Sequence, residues 1–288
     1  MGPNDLVGLT SLMQRTSGRS EILVGLIDGP IAIDLPGLAS ENIREIPGKL
    51  GGTCAAAGSA ACRHGTFVAS ILAARRGSAA PAICPSCTLL VRPIFSESAS
   101  GNGLMPSATP KEVATGILDC VDSGARVINL SAALAQPSLK QEEELKLALD
   151  YAAQRRVIVV AAAGNQGMVG STAITRHPWV IPVVACDLRG RPVGESNLGH
   201  PIGRRGLTAP GENITSLGPD GKPISFGGTS AAAPFVTGTV ALLWSEFPSA
   251  TGADLKWALT QGRMARRTTV VPPLLDAWAT YQAMARIK

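Results

Sequence analysis

No stretch of the 288 residues is apolar over the roughly 20 consecutive positions that a membrane-spanning helix needs. The hydrophobic residues, 45% of the chain, are scattered Ala and Val among short runs, enough for a packed core but not for a bilayer span. The first 20 residues lack the charged-then-apolar pattern with a small-residue cleavage site that marks a secretory signal, so a cytoplasmic protein is expected. Long basic runs are missing as well. The excess positive charge falls in pairs (Arg75-Arg76, Arg155-Arg156, Arg204-Arg205, Arg266-Arg267) with no aromatic stacking motif beside them, so neither nucleic acid nor a membrane is expected as a partner. Histidine is scarce: His64, His177 and His200 are all there are. None stands at ligand spacing from Cys84 and Cys87 or from Cys54 and Cys62, so no zinc, and no other metal or cofactor, is expected. The six cysteines, at 54, 62, 84, 87, 120 and 186, allow up to three bridges, and Cys54 and Cys62 flank a small-residue loop that a bridge could close. Which of them pair is open at this level, and nothing in the sequence indicates an oligomeric state.

What is present is an alternation of short β-branched runs with longer amphipathic stretches, the pattern of βαβ units around a mostly parallel sheet. Strands are predicted at 22–27, 88–94, 126–130, 157–162 and 180–185. Helices are predicted near His64, Pro110 and Ser138, after Thr229 and Thr251, and near Leu274. The intervening stretches 35–63, 75–85, 96–110 and 164–178, rich in Gly, Ala, Ser and Pro, read as loops. No repeat or composition shift divides the chain, so one α/β domain over 21–288 is expected behind an N-terminal extension of 1–20.

Three segments each place one reactive side chain at a junction of elements. The run 22–27 is a buried-strand pattern ending in Asp28, and ligands of parallel sheets bind beyond such strand ends. A second segment, Arg63-His64-Gly65-Thr66, opens an apolar helix, with Gly65 permitting close backbone approach. In the third, Gly227-Gly228-Thr229-Ser230, two glycines make a tight turn, Thr229 can cap a helix and Ser230 stands in its first turn, where backbone amides favour an anion. Pro234 follows early in that helix and costs it at most one backbone hydrogen bond. Taken singly, each segment also fits an ordinary turn, surface or cap residue.

Together they resemble the subtilisin family, whose catalytic residues run Asp, His, Ser along the chain. The matching motifs are Ile27-Asp28-Gly29, His64-Gly65-Thr66 and Gly228-Thr229-Ser230-Ala231-Ala232-Ala233-Pro234. Two more segments fit in order and spacing: Val159-Val160-Ala161-Ala162-Ala163-Gly164-Asn165 and Val127-Ile128-Asn129-Leu130-Ser131. The resemblance spans residues 22–247. It implies a three-layer α/β/α fold and a serine endopeptidase with Asp28, His64 and Ser230 as triad. It implies further that Asn165 and the Ser230 N–H stabilise the oxyanion, and that an extended peptide is held along Ser131, Ala132, Ala133, Gly101 and Gly164.

Departures narrow the expectation. Phe67 stands where many relatives have a second His, and Pro30 where they often have a small polar residue. The stretch after the His64 helix offers no carboxylates for the calcium ion that many secreted subtilisins bind there. No folding pro-domain precedes the first strand, so the chain is expected to fold unaided or to be truncated. Asp28-Gly29-Pro30, the run 84–95 and Ala209-Pro210-Gly211-Glu212-Asn213-Ile214 look most like the cyanobactin-maturation branch, intracellular enzymes that trim a ribosomally made precursor peptide. Removal of a leader is thus expected, against three alternatives: a broad-specificity degradative subtilisin, a macrocyclising transamidase and an inactive peptide-binding module.

Overall fold

The structure is a computed structural model, described here for residues 2–97, 108–131, 139–260 and 269–286, with no side-chain statement for 139–141. Nine strands are described: β1 (Leu23–Asp28), β2 (Ile43–Glu45), β3 (Thr88–Pro93), β4 (Val127–Leu130), β5 (Ile158–Ala162), β6 (Val180–Cys186), β7 (Leu207–Pro210), β8 (Ile214–Leu217) and β9 (Pro223–Phe226). The helices are α1 (Pro3–Leu6), α2 (Leu9–Arg15), α3 (Ala60–Ala73), α4 (Pro110–Asp122), α5 (Leu139–Gln154), α6 (Ala173–Arg176), α7 (His200–Arg205), α8 (Thr229–Glu246), α9 (Gly252–Thr260) and α10 (Ala277–Ala285). None is long and apolar enough to cross a membrane.

Strands β1 to β7 form one parallel sheet in the order β2-β3-β1-β4-β5-β6-β7, and β8 and β9 make a separate antiparallel hairpin. The alternation along each strand divides the core in two. Val24, Leu26, Val127, Ile158 and Val160 face a cluster shared with α3 and α8, whereas Ile27, Ile128, Val159 and Ala161 face one shared with α4 and α5. This is the three-layer α/β/α arrangement, and it explains why the strands read as continuous apolar runs: both faces are covered. Helix α8 is apolar all round because the sheet and its neighbours enclose it; apart from Ser230 and Glu246 every residue of it is buried.

Chain order reverses between β1 and β4, the two strands that lie side by side with Ile27 opposite Leu130. A crevice opens beyond the carboxyl ends of strands at such a reversal. Asp28 ends β1, and Ser131 follows β4 with its N–H still donating to Ile27 O at 3.4 Å.

Several boundaries differ from the sequence reading. Helix α3 starts at Ala60, capped by the Ser59 hydroxyl, which accepts from Cys62 N, so His64 lies one turn inside the helix instead of opening it. The three-residue β2 lies within 35–63 and the one-turn α6 within 164–178, both read as loop, because elements this short carry no period. The last helix begins at Ala277 on an Asp276 cap. Residues 3–15 form α1 and α2, and Val7, Leu9 and Leu12 are fully buried in the core cluster of α3 and α8. Cys54 and Cys62 are joined in a disulfide, while Cys84, Cys87, Cys120 and Cys186 are free and buried.

Candidate active site

Two glycines bring the end of β1 and the helix α3 together. A Cβ on Gly29 would lie 2.1 Å from Ala61 O, and one on Gly65 would lie 2.4 Å from Pro30 O and 2.6 Å from Gly29 O. Only glycine lets these backbones touch. The contact is tied by Ala32 N, which donates to the buried Thr66 hydroxyl at 2.9 Å. The close approach that the sequence suggested for Gly65 is thus made, and its neighbour is the turn after Asp28.

On this frame Asp28 Oδ1 lies 2.7 Å from His64 Nδ1 and also accepts from Gly29 N at 2.6 Å. A carboxylate only accepts, so Nδ1 carries the proton and Nε2 offers its lone pair. That Nε2 faces Ser230 Oγ at 3.0 Å. Asp28 is wholly buried and the His64 side chain is 12% exposed. Burial by itself would lower the imidazole's pKa, but the charge and hydrogen bond of Asp28 outweigh it, and the ring holds its proton above its ordinary pKa. Phe226 lies beside the imidazole, ring centroids 6.4 Å apart and planes 29° from parallel, and is itself held by an edge contact with Phe67.

The turn before Ser230 needs glycine for two reasons. Gly228 has φ +103°, and a Cβ there would meet Asn165 Nδ2 at 2.8 Å. Gly228, not Thr229, is the N-cap of α8, which has no side-chain cap. This corrects the reading of Thr229 as the cap: it is the first helical residue, and its hydroxyl turns to the end of β5. There it accepts from Gly164 N at 3.1 Å and donates to Asn165 Oδ1 at 2.9 Å, while Thr229 N donates to the same oxygen at 2.8 Å. A backbone N–H can face only an acceptor, so Asn165 is fixed with its oxygen towards Thr229 and its amide nitrogen free to donate elsewhere. Sequence reasoning missed this role because residues 64 apart share no local pattern.

Asp28, His64, Ser230, Asn165, Gly164 and Ser131 therefore converge beyond the carboxyl ends of β1, β4 and β5. Gly101, Ala132 and Ala133 lie outside the described residues. Chemically, the arrangement can take a proton from a serine hydroxyl, and it offers one side-chain amide and the N–H of Ser230, unpaired by the helix so near its start, to a developing oxyanion.

The sequence profile of the subtilase family matches residues 19–270. A solved alanine mutant of the protease domain of PatA is 29% identical, with 94% of this chain and 98% of that chain covered at a TM-score of 0.83. The prenylagaramide maturation protease PagA is 26% identical, with 96% and 98% covered and a TM-score of 0.80. The thermostable alkaline protease of Halalkalibacterium halodurans is 31% identical over 199 residues, 69% of this chain and 51% of that protein, so the chain spans about half the length of that relative. Subtilisin DY of Bacillus licheniformis is 32% identical over 198 residues, 67% of each. The extent of the family match, carried by the same motifs that converge in the crevice, makes this chain a member of the subtilase family of serine peptidases.

Proposed function

We propose that the protein is a serine endopeptidase that cleaves a ribosomally synthesised precursor peptide by way of an acyl-enzyme on Ser230. The observation that carries the reading is the unbroken line from Asp28 Oδ1 to His64 Nδ1 and from His64 Nε2 to Ser230 Oγ, at 2.7 and 3.0 Å. Ser230 Oγ attacks the scissile carbonyl as His64 Nε2 takes its proton, and the imidazolium formed is stabilised by Asp28. The tetrahedral oxyanion is held by Asn165 Nδ2 and Ser230 N–H. His64 then protonates the leaving amine, and water, activated by the same nitrogen, releases the acyl group.

The choice of a precursor peptide rests on the likeness to the PatA protease domain and PagA, both matched over 98% of their length. Among the described residues Asn165 is exposed and Ser230 partly exposed, so water reaches the acyl-enzyme, and hydrolysis is the proposed fate in preference to ring closure.

The test is labelling by a fluorophosphonate probe with mass-spectrometric mapping, followed by digestion of casein and of a candidate precursor peptide. Label on Ser230, one cut in the precursor and intact casein are expected. Absence of label overturns the nucleophile, broad casein digestion overturns the substrate class, and a product lighter by one water overturns hydrolysis.

A further inference from the structure

Pro234 is the sixth residue of α8, and a proline at that point has no N–H for the carbonyl four residues earlier. That carbonyl belongs to Ser230, so the helix holds the nucleophile's own residue by one bond fewer than its geometry provides. The missing bond is replaced from the sheet. Ser131 Oγ donates to Ser230 O at 3.3 Å, Asn129 Nδ2 donates to Ser131 Oγ at 2.8 Å, and Thr237 Oγ1 donates to Asn129 Oδ1 at 2.9 Å. Thr237 and Asn129 are wholly buried and Ser131 is 4% exposed.

The direction of this chain is set by its ends. Ser230 O can only accept, so the Ser131 hydroxyl spends its proton there and must accept from Asn129; the Asn129 amide then presents its oxygen to a donor. Thr237 is that donor. Two buried hydroxyls farther along α8 behave differently: Thr239 and Ser245 bond back to the carbonyls of Phe235 and Ala241 in their own helix, at 2.7 and 2.8 Å. Thr237 alone of the three turns its hydroxyl to β4.

We infer that Thr237, which lies in the core behind the cleft, is a positioning residue for the nucleophile. Through Asn129 and Ser131 it fixes the Ser230 carbonyl, and with it the first turn of α8 that sets Ser230 Oγ against His64 and aims the Ser230 N–H at the oxyanion. Without the Thr237 proton the Asn129 amide is free to reverse, Ser131 loses its donor, and its hydroxyl is no longer bound to point at Ser230 O. Buried polar chains in which each link orients the next are worth more than their separate bonds. The inference rests on Ser230 being the nucleophile.

The experiment compares Thr237→Val, Thr237→Ser, Ser131→Ala and the Thr237→Val/Ser131→Ala double variant by the rate of fluorophosphonate labelling, well below the thermal midpoint of each. The probe makes no extended peptide contacts, so the rate reports nucleophile placement. Loss of one neutral hydrogen bond that is made good only in the reacting geometry predicts a fall of about two- to tenfold for Thr237→Val. With a peptide substrate the loss is expected in kcat with KM unchanged. Thr237→Ser restores the rate, and Thr237→Val adds nothing in the Ser131→Ala background, because the relay is already cut. A Thr237→Val enzyme that labels at the wild-type rate while melting earlier overturns the inference, as does full additivity in the double variant. If Thr237→Val does not fold, Thr237→Cys, with a weak donor in a similar shape, replaces it in the same comparisons. Failure of the wild type to label at Ser230 is a separate result and overturns the nucleophile instead.

Discussion

Asn165 Oδ1 accepts hydrogen bonds from both the backbone N–H and the hydroxyl of Thr229, at 2.8 and 2.9 Å. The two residues lie just beyond β5 and at the start of α8, so the pair sets the proposed oxyanion donor and the proposed nucleophile in one frame. Asn165→Ala removes the donor, and loss of one oxyanion donor costs about 10²–10³ in kcat. Thr229→Val removes the hydroxyl bond and leaves the backbone N–H alone to orient the amide, so it is expected to cost less, with KM unchanged in both variants. Steady-state kinetics on one peptide substrate checks this, and equal losses for the two substitutions would contradict the orienting role.

The Asp28–His64 pair predicts a pH profile. The base must be neutral to accept the Ser230 proton, and its folded pKa is raised, so the acidic limb of kcat/KM lies above about 6.5, the ordinary histidine value. Asp28→Asn removes the charge that raises it and leaves burial, so the limb moves to lower pH while kcat drops by roughly 10⁴. The stability carried by the pair has the matching sign. It is fully present below the unfolded pKa and is lost as pH rises through the folded one. Thermal melts of wild type and Asp28→Asn across that window measure it.

The contact of α3 with the turn after β1 leaves no room for a methyl group. Gly29→Ala would set a Cβ 2.1 Å from Ala61 O, against backbone that cannot swing aside. Overpacking of this kind costs about 1–3 kcal/mol and here displaces the helix that carries His64. Denaturant melts should show the loss, and Ser230 labelling should slow in the folded fraction. Wild-type labelling would mean that the contact is not what places the imidazole.

The Cys54–Cys62 disulfide closes a short loop at the start of α3, and Cys62 is two residues from His64. Closure of so short a loop is worth about 2–3 kcal/mol. Glu97 holds the same loop independently, accepting from Ala55 N at 2.7 Å, Ala56 N at 2.9 Å and the Ser59 hydroxyl at 3.2 Å. Reduction is therefore expected to lower the thermal midpoint but spare labelling at low temperature, and Glu97→Ala with reduction to abolish both. Melts and labelling with and without dithiothreitol check the order of these effects.

The sequence by itself determined the five central strands, most of the long helices and the parallel α/β class, and it singled out Asp28, His64, Asn165 and Ser230, which the fold brings together. Burial on both faces of a strand, helix periodicity and glycine-bearing turns are written in consecutive residues, and each of these features rests on them. The three-residue β2, the hairpin β8–β9 and the true start of α3 carry too few residues for a period and came only with the structure.

What the tertiary structure alone decided is who touches whom. His64 meets Asp28 across 36 residues and Ser230 across 166, distances along the chain at which no local pattern operates. The sequence presented Thr229 as a cap and Pro234 as a lost bond. The packing of α8 against β4 and β5 made Thr229 the clamp of Asn165 and restored the bond through Ser131, Asn129 and Thr237. A hydroxyl has no fixed partner until burial removes water as an alternative, and burial is a property of the assembled layers, not of the residues beside it.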